Sequence, residues 1–113
     1  MRLGIIGSRS LCVCDFDAYI PAGVTEIVSG GAKGIDEGAA AYAKKKGIKL
    51  TEFLPEYARY GRAAPLKRNA LIAEYSDMVL AFWDGRSKGT RYTLSLFEKL
   101  GKKTVVIRLE ENL

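Results

Sequence analysis

One stretch constrains the fold of this chain more than any other, because three patterns follow one another in it. The apolar run Thr25–Ser29 leads into the glycine-rich turn Gly30–Gly34, and a helical pattern follows to Lys46. Small residues let a backbone pass close to a ligand, and the first amides of a helix attract anions. The stretch therefore predicts a strand, a tight turn and a helix. The turn either binds a phosphate, with Lys33 as a mobile cation, or holds no ligand.

The length and composition favour one folded domain over residues 1–113, with 48% hydrophobic residues to form a core. Histidine is absent, which excludes Ser-His-Asp and Cys-His catalysis and the usual zinc ligand sets. No apolar run approaches the roughly 20 residues of a membrane span, and the first apolar run is too short for a secretory leader. We therefore expect a cytoplasmic protein with no membrane partner, and we assign no metal-ligating residues.

Cys12 and Cys14 are the only cysteines of the chain. Their spacing rarely suits a disulfide, and two ligands cannot complete a tetrahedral metal site. We predict free thiols, with a redox-sensitive pair beside the ligand site as the alternative.

Five apolar runs predict β-strands, and helical patterns lie between them. The predicted strands are Arg2–Gly7, Thr25–Ser29, Ile48–Leu54, Asp77–Trp83 and Lys103–Leu109. The predicted helices are Gly34–Lys46, Ala63–Tyr75 and Arg91–Leu100, the last capped by Thr90; Leu11–Pro21 allows a further short helix, and Pro55–Arg62 is a loop. This alternation predicts an α/β fold in three layers, with a parallel five-stranded sheet between helices. Right-handed crossovers favour the strand order 3-2-1-4-5, with the third strand at an edge.

Three glycine-containing loops follow the first, second and fourth predicted strands. They are Gly7–Arg9, Gly30–Gly34 and Asp84–Thr90. Because these strands are neighbours in the predicted order, their loops meet outside the carboxyl ends, where the direction of winding reverses. Glycine amides, hydroxyl groups and cations together suit a phosphate and a sugar. We expect a phosphorylated small molecule there, with three plain turns as the alternative.

Four motifs, taken in order, resemble one protein family. They are Gly7-Ser8-Arg9, the run Ser29–Asp36, Arg68-Asn69 with Asp77 nine residues later, and Phe82–Gly85 followed by Ser87, Gly89 and Thr90. This pattern, which covers most of the chain, resembles the YspA-like (cpYpsA-related) branch of the SLOG superfamily.

The resemblance implies a Rossmann-like domain that binds a nucleotide or a nucleotide derivative, either as a ligand sensor or as a nucleotide-processing domain. Together with the three loops, it implies a set of ligand-binding residues. These are Gly7, Ser8, Arg9, Ser29, Gly30, Gly31, Lys33, Gly34, Asp36, Arg68, Asn69, Asp84, Gly85, Ser87, Gly89 and Thr90.

The superfamily includes the Lonely Guy phosphoribohydrolases, and this chain matches only part of their catalytic pattern. Arg68 matches their functional arginine, and Gly89 and Thr90 match their phosphate-binding loop. Thr93 stands where these enzymes carry a catalytic glutamate. The resemblance therefore implies that the phosphate is bound but that nucleoside monophosphates are not hydrolysed.

Two acids and two aromatic residues near the predicted crevice have more than one interpretation. Asp36 could orient Lys33 or hold a ribose hydroxyl, or it could simply favour the start of a helix. Asp84 could hold a sugar hydroxyl, a base edge or a magnesium ion, or it could form an Asx turn. Tyr57 and Tyr60, in the predicted loop after the third strand, could cap a nucleobase or pack on the surface.

Three functions fit the pattern to different degrees. We favour a nucleotide-binding sensor or regulatory domain, and the alternative is a hydrolase of an N-glycosidic or phosphate bond. A single-stranded DNA binder, like the DNA-processing A protein of the same superfamily, needs a basic track interleaved with aromatic residues. The net charge is +5, but most cations lie at predicted helix ends, so nucleic acid is not the expected partner. Since SLOG relatives often self-associate, we expect a homodimer through the helix Ala63–Tyr75.

Overall fold

The strands form one parallel sheet in the predicted order. The computed structural model describes residues 1–13 and 15–110. Its strands are β1 (Arg2–Gly7), β2 (Glu26–Ser29), β3 (Lys49–Glu52), β4 (Met78–Trp83) and β5 (Lys103–Arg108). Its helices are α1 (Ile35–Lys46), α2 (Tyr57–Tyr60), α3 (Ala64–Tyr75) and α4 (Lys88–Lys99), with a 3₁₀ turn over Gly61–Ala63. The order β3-β2-β1-β4-β5, parallel throughout, confirms the predicted α/β fold and the edge position of β3.

Both faces of the sheet are covered, which explains why the central strands are apolar along their whole length. Successive side chains of a strand point to opposite faces. Ile5 and Phe82 pack in the core beneath α1, whereas their neighbours Ile6 and Ala81 pack in the core beneath α3 and α4. The helices therefore lie on both sides of the sheet, and the carboxyl ends of the strands remain uncovered at one edge.

Helix α1 is formed as its local chemistry predicts. Its first turn carries the acids Asp36 and Glu37, and its last turn carries Lys44, Lys45 and Lys46. Acids at the positive end and cations at the negative end of the helix dipole both stabilise the helix. Gly47 then adopts a left-handed conformation with φ of 68°, and its amide returns to the last carbonyl groups of the helix.

The short helix that the sequence allows over Leu11–Pro21 is not formed by the described residues of that segment. The Asp15 carboxylate accepts a hydrogen bond from the Asp17 amide at 2.9 Å, and such a local bond competes with a helical backbone. Leu11 and Phe16 nevertheless pack into the core beneath α1.

Of the two cysteines, the structure describes Cys12. Cys12 is a free, exposed thiol. Cys14 lies outside the described residues, as do residues 111–113 of the predicted tail.

Most element boundaries lie within two residues of the prediction, and two features differ by more. The predicted loop Pro55–Arg62 contains α2 and part of the 3₁₀ turn. Helix α4 begins at Lys88, three residues earlier than predicted, because Ser87 caps it by accepting a hydrogen bond from the Thr90 amide. Thr90 is thus inside the first turn of α4 and is not its cap.

Over the part of the chain that the structure describes, the longest helices have 12 residues, and none of them could cross a bilayer.

Candidate ligand-binding cleft

A cleft of about 400 Å³ opens at the carboxyl edge of the sheet, between the ends of β1 and β2 and the starts of α3 and α4. Its lining includes predicted residues from all three loops, from α1 and from α3. These are Gly7, Arg9, Gly30, Asp36, Arg68, Asn69, Ser87, Gly89 and Thr90. The remaining lining residues, which the sequence did not assign as ligand-binding, are Ile6, Ser10, Ala32, Pro65, Ile72 and Thr93.

The remaining predicted site residues lie beside the cleft without lining it. They are Ser8, Ser29, Gly31, Lys33, Gly34, Asp84 and Gly85. A ligand role for any of the predicted residues stays a prediction, but the hydrogen bonds of several show what they do for the fold.

Arg68 is buried at the floor of the cleft, with 7% of its surface exposed. Its Nε donates to Asn69 Oδ1 at 2.8 Å, and its Nη1 donates to the Gly30 carbonyl. A Cβ atom at Gly30 would lie 2.5 Å from Nη1, so the glycine allows this close approach. No described residue accepts a hydrogen bond from Nη2. The fold therefore fixes the guanidinium and leaves donors free, since an arginine carries five N–H groups.

The charges around Arg68 do not balance. Burial lowers the pKa of Arg68, the carboxylate of Asp36 opposes this effect, and the guanidinium of Arg9 lowers the pKa further by repulsion. Arginine stays protonated all the same. Two guanidinium groups are thus held within electrostatic reach of each other at one cleft, beside a single acid.

That acid is Asp36, with 8% of its surface exposed. Its Oδ2 accepts a hydrogen bond from the Ala32 amide at 3.0 Å. Burial raises the pKa of Asp36, while the Ala32 amide and the charge of Arg68 act against the rise. No ion pair of 4.0 Å or less joins Asp36 to Arg68 among the described residues. A positive and a negative group therefore face one cleft without neutralising each other by direct contact.

Two backbone amides of the glycine-rich turn donate hydrogen bonds to neighbouring side chains. The Gly31 amide donates to Ser29 Oγ at 3.4 Å, and the Ala32 amide is held by Asp36. Gly31 and Gly34 have φ of 67° and 76°, a backbone that favours glycine. Lys33 is exposed and does not line the cleft. Two amides of the turn are thus engaged within the loop, and Arg68 and the start of α4 bring further hydrogen-bond donors to the cleft.

The start of α4 presents its first amides at the cleft. Ser87 Oγ donates to Thr90 Oγ1 at 3.2 Å and accepts from the Thr90 amide at 3.4 Å. The amides of Lys88 and Gly89 precede any possible partner within the helix. Trp83 Nε1 donates to the Ser87 carbonyl at 3.1 Å, which fixes the entry into the helix.

Asp84 shapes the loop before α4. Its Oδ1 accepts hydrogen bonds from the amides of Arg86 and Ser87, both at 2.8 Å, which forms the Asx turn that the sequence allows as an alternative to a ligand contact. The two amides hold the pKa of Asp84 below its usual range. The Asp84 amide in turn donates to the buried Ser8 hydroxyl at 3.2 Å, which ties the first and third loops together. Among the described residues, no cluster of three metal-ligating side chains occurs. The predicted magnesium contact of Asp84 stays a prediction.

Thr93 lies one turn into α4 and lines the cleft, although it is only 1% exposed. Its hydroxyl donates to the Gly89 carbonyl at 2.9 Å. Thr93, which the resemblance aligns with the glutamate of Lonely Guy enzymes, therefore faces the cleft with a neutral side chain that already makes a hydrogen bond. Among the described lining residues, Asp36 is the only acid.

The chain matches no protein-family model, no curated protein and no solved structure. The likeness to the SLOG superfamily consequently depends on the motifs alone.

Proposed function

We propose that this protein binds a nucleotide or a nucleotide-derived phosphorylated ligand in the cleft, as a sensor or regulatory domain of the YspA-like branch of the SLOG superfamily. The observation that carries the proposal is the buried Arg68, which keeps unused donors beside a second guanidinium. Burying a charge is costly unless an opposite charge and hydrogen bonds accompany it. A phosphate bound there would supply both.

Each part of such a ligand has a candidate partner in the cleft. The phosphate would accept hydrogen bonds from Arg68 and from the first amides of α4, near the positive end of the helix dipole. Arg9 lines the same cleft and is exposed, so it can move toward the phosphate. Asp36 would accept a hydrogen bond from a ribose hydroxyl, which offsets part of the cost of burying its charge.

Titration calorimetry with adenosine monophosphate, ribose 5-phosphate, adenosine and inorganic phosphate tests the proposal. The phosphorylated compounds should bind and adenosine should bind far more weakly. A ligand present at 100 times its dissociation constant should also stabilise the fold by about 2.7 kcal/mol. Failure of every phosphorylated compound to bind would refute the proposal.

Variants of three arginines locate the site. Losing a hydrogen bond to a charged group costs about 1.5–3 kcal/mol, so Arg68→Met should weaken phosphate binding by more than tenfold. Arg9→Met should weaken it less, because its exposed charge is screened by solvent. Arg86→Met is the matched control, since Arg86 is exposed and does not line the cleft. Equal losses for Arg68→Met and Arg86→Met would place the anion elsewhere.

The second candidate function is a nucleotide-processing hydrolase, and one observation favours it. Asp36 is a carboxyl group in the cleft whose pKa is raised by burial, as a general acid requires. The neutral Thr93 argues against this function, because among the described lining residues no second carboxylate is present to activate water or stabilise an oxocarbenium ion. Release of free adenine from adenosine monophosphate, abolished by Asp36→Asn, would favour the hydrolase over the sensor.

A further inference from the structure

The segment that joins β3 to α3 lies at the same edge of the sheet as the cleft. Strand β3 runs parallel to β2 and ends at Glu52, so the chain leaves it at the carboxyl edge. Helix α3 starts from this edge, because Pro65 in its first turn lines the cleft. Helix α2, which begins at Tyr57, therefore lies at this edge of the sheet, and none of its residues is part of the cleft lining.

The side chain of Tyr57 is exposed to solvent. Its exposed fraction is 56%, against 0% for Phe82 and Phe97 in the core. Burying an aromatic ring is strongly favourable, so an exposed ring beside a cleft is available to a ligand. No aromatic or cationic side chain among the described residues stacks on Tyr57.

Tyr60, three residues later in the same helix, shows the contrast. The Arg59 guanidinium lies 5.0 Å from its ring centre and the Lys67 ammonium lies 5.8 Å from it. The faces of the Tyr60 ring thus already contact two cations, and the residue is only half-exposed. Of the two tyrosines that could cap a nucleobase, Tyr57 is the one with a free face.

Tyr57 also lies close to the group that would hold the phosphate. Burial has the largest effect on the pKa of Arg68 and lowers it, and the electrostatic effects of Asp36 and of the Tyr57 phenol act in the opposite direction. The phenol is thus near enough to the guanidinium to interact with it electrostatically. For its base to reach the ring of Tyr57, a nucleotide with its phosphate on Arg68 would extend past the lining of the cleft.

We propose that Tyr57 stacks on the nucleobase of the bound ligand, so that the site prefers nucleotides to phosphorylated sugars without a base. The proposal rests on the proposed function, because it needs a phosphate in the cleft. Stacking of one base on an aromatic side chain changes affinity by about 5- to 150-fold. Since every base has an aromatic face, the preference should extend to all four bases, with purines ahead of pyrimidines by their larger area.

The test compares two classes of ligand on four proteins. Adenosine, guanosine, cytidine and uridine monophosphates and ribose 5-phosphate are titrated into the wild type, Tyr57→Ala, Tyr57→Phe and Tyr92→Ala. Tyr92 is the matched control, because it is an exposed tyrosine on α4, outside the segment that joins β3 to α3. Tyr57 is exposed, so replacing it should leave the fold intact.

Tyr57→Ala should weaken the best nucleotide by about 5- to 150-fold and leave ribose 5-phosphate within twofold. Tyr57→Phe and Tyr92→Ala should keep the wild-type affinities. The ring protons of Tyr57 should also shift upfield on addition of the nucleotide and stay unmoved by ribose 5-phosphate.

The possible failures are distinguishable. If the wild type binds neither the nucleotides nor ribose 5-phosphate, the proposed function fails and stacking fails with it. If both classes bind and Tyr57→Ala weakens them equally, or weakens neither, the phosphate site stands and the stacking proposal is overturned.

Discussion

Glu26 and Asp36 are acids buried at opposite ends of the unit formed by β2 and α1, and replacing each by its amide should change stability in opposite directions. Glu26 lies at the start of β2, on the side of the sheet away from the cleft. Its Oε2 accepts hydrogen bonds from Thr51 Oγ1 at 2.6 Å and from the Tyr75 hydroxyl. These two hydrogen bonds hold the pKa of Glu26 below its usual range, and the bond from Thr51 has the larger effect.

The size of the Glu26→Gln effect follows from those two bonds. A hydrogen bond to a charged group contributes about 1.5–3 kcal/mol and a neutral one about 0.5–1.5 kcal/mol, so the amide loses about 1 kcal/mol per bond. Glu26→Gln should therefore lower the free energy of unfolding by about 2 kcal/mol at pH 7. Because the folded-state pKa is lowered, this stabilisation is fully present above the unfolded pKa of about 4.3 and disappears as the pH falls through the folded pKa.

Asp36 should behave in the opposite way. Burial raises its folded-state pKa, so its favourable contribution exists only below the unfolded pKa and is lost as the pH rises through the folded pKa. At pH 7, above the unfolded pKa, burying this acid is a cost to the fold. Asp36→Asn removes that charge and keeps an oxygen for the Ala32 amide. The variant should be at least as stable as the wild type at pH 7 and should bind the phosphorylated ligand more weakly.

Urea unfolding between pH 3 and pH 8 measures both effects. Trp83 is the only tryptophan, and its indole is hydrogen-bonded at the start of α4, so its fluorescence should report unfolding. The denaturant slope of each variant should equal that of the wild type. A change in the urea midpoint then reports a change in the free energy of unfolding. The reasoning is refuted if Glu26→Gln matches the wild type at pH 7, or if Asp36→Asn loses as much stability as Glu26→Gln does.

Three further outcomes are expected. Gly7→Ala would place a Cβ atom against Cγ1, Cβ and Cγ2 of Ile35, so it should cost about 1–3 kcal/mol in urea unfolding. The cost should be smaller in an Ile35→Ala background, which removes both Cγ atoms, and should not vanish because the Ile35 Cβ at 2.7 Å is kept. The predicted homodimer should sediment as such at tens of micromolar, and Leu71→Glu should make it monomeric, because Leu71 on α3 is 46% exposed; a wild type that is already monomeric contradicts this. The wild type should release no adenine from adenosine monophosphate, whereas Thr93→Glu places a carboxylate at the cleft and should gain turnover if the missing acid is what limits hydrolysis.

Much of the fold could be predicted because its signals are local. Continuous apolar runs mark strands that are buried on both faces, and the charges and Gly47 around α1 mark where that helix begins and ends. Right-handed crossovers then leave few strand orders to choose from. The predictions that were wrong concern short segments in which a local side-chain hydrogen bond decided between two possible structures. Asp15 bonds within its own turn where a helix was allowed, and Ser87 caps α4 ahead of Thr90.

The composition of the cleft depends on contacts between distant parts of the chain, and residue type alone does not reveal them. Asp36 and Asp84 were equivalent in the sequence, yet the packing of α1 buries the first at the cleft, and the Asx turn engages the second outside it. Arg68 was a motif match, and its burial against the Gly30 carbonyl follows only when α3 packs beside β2. Pro65 and Thr93 reach the cleft for the same reason, because side-chain exposure and electrostatic balance are set by neighbours that the chain brings together only when it folds.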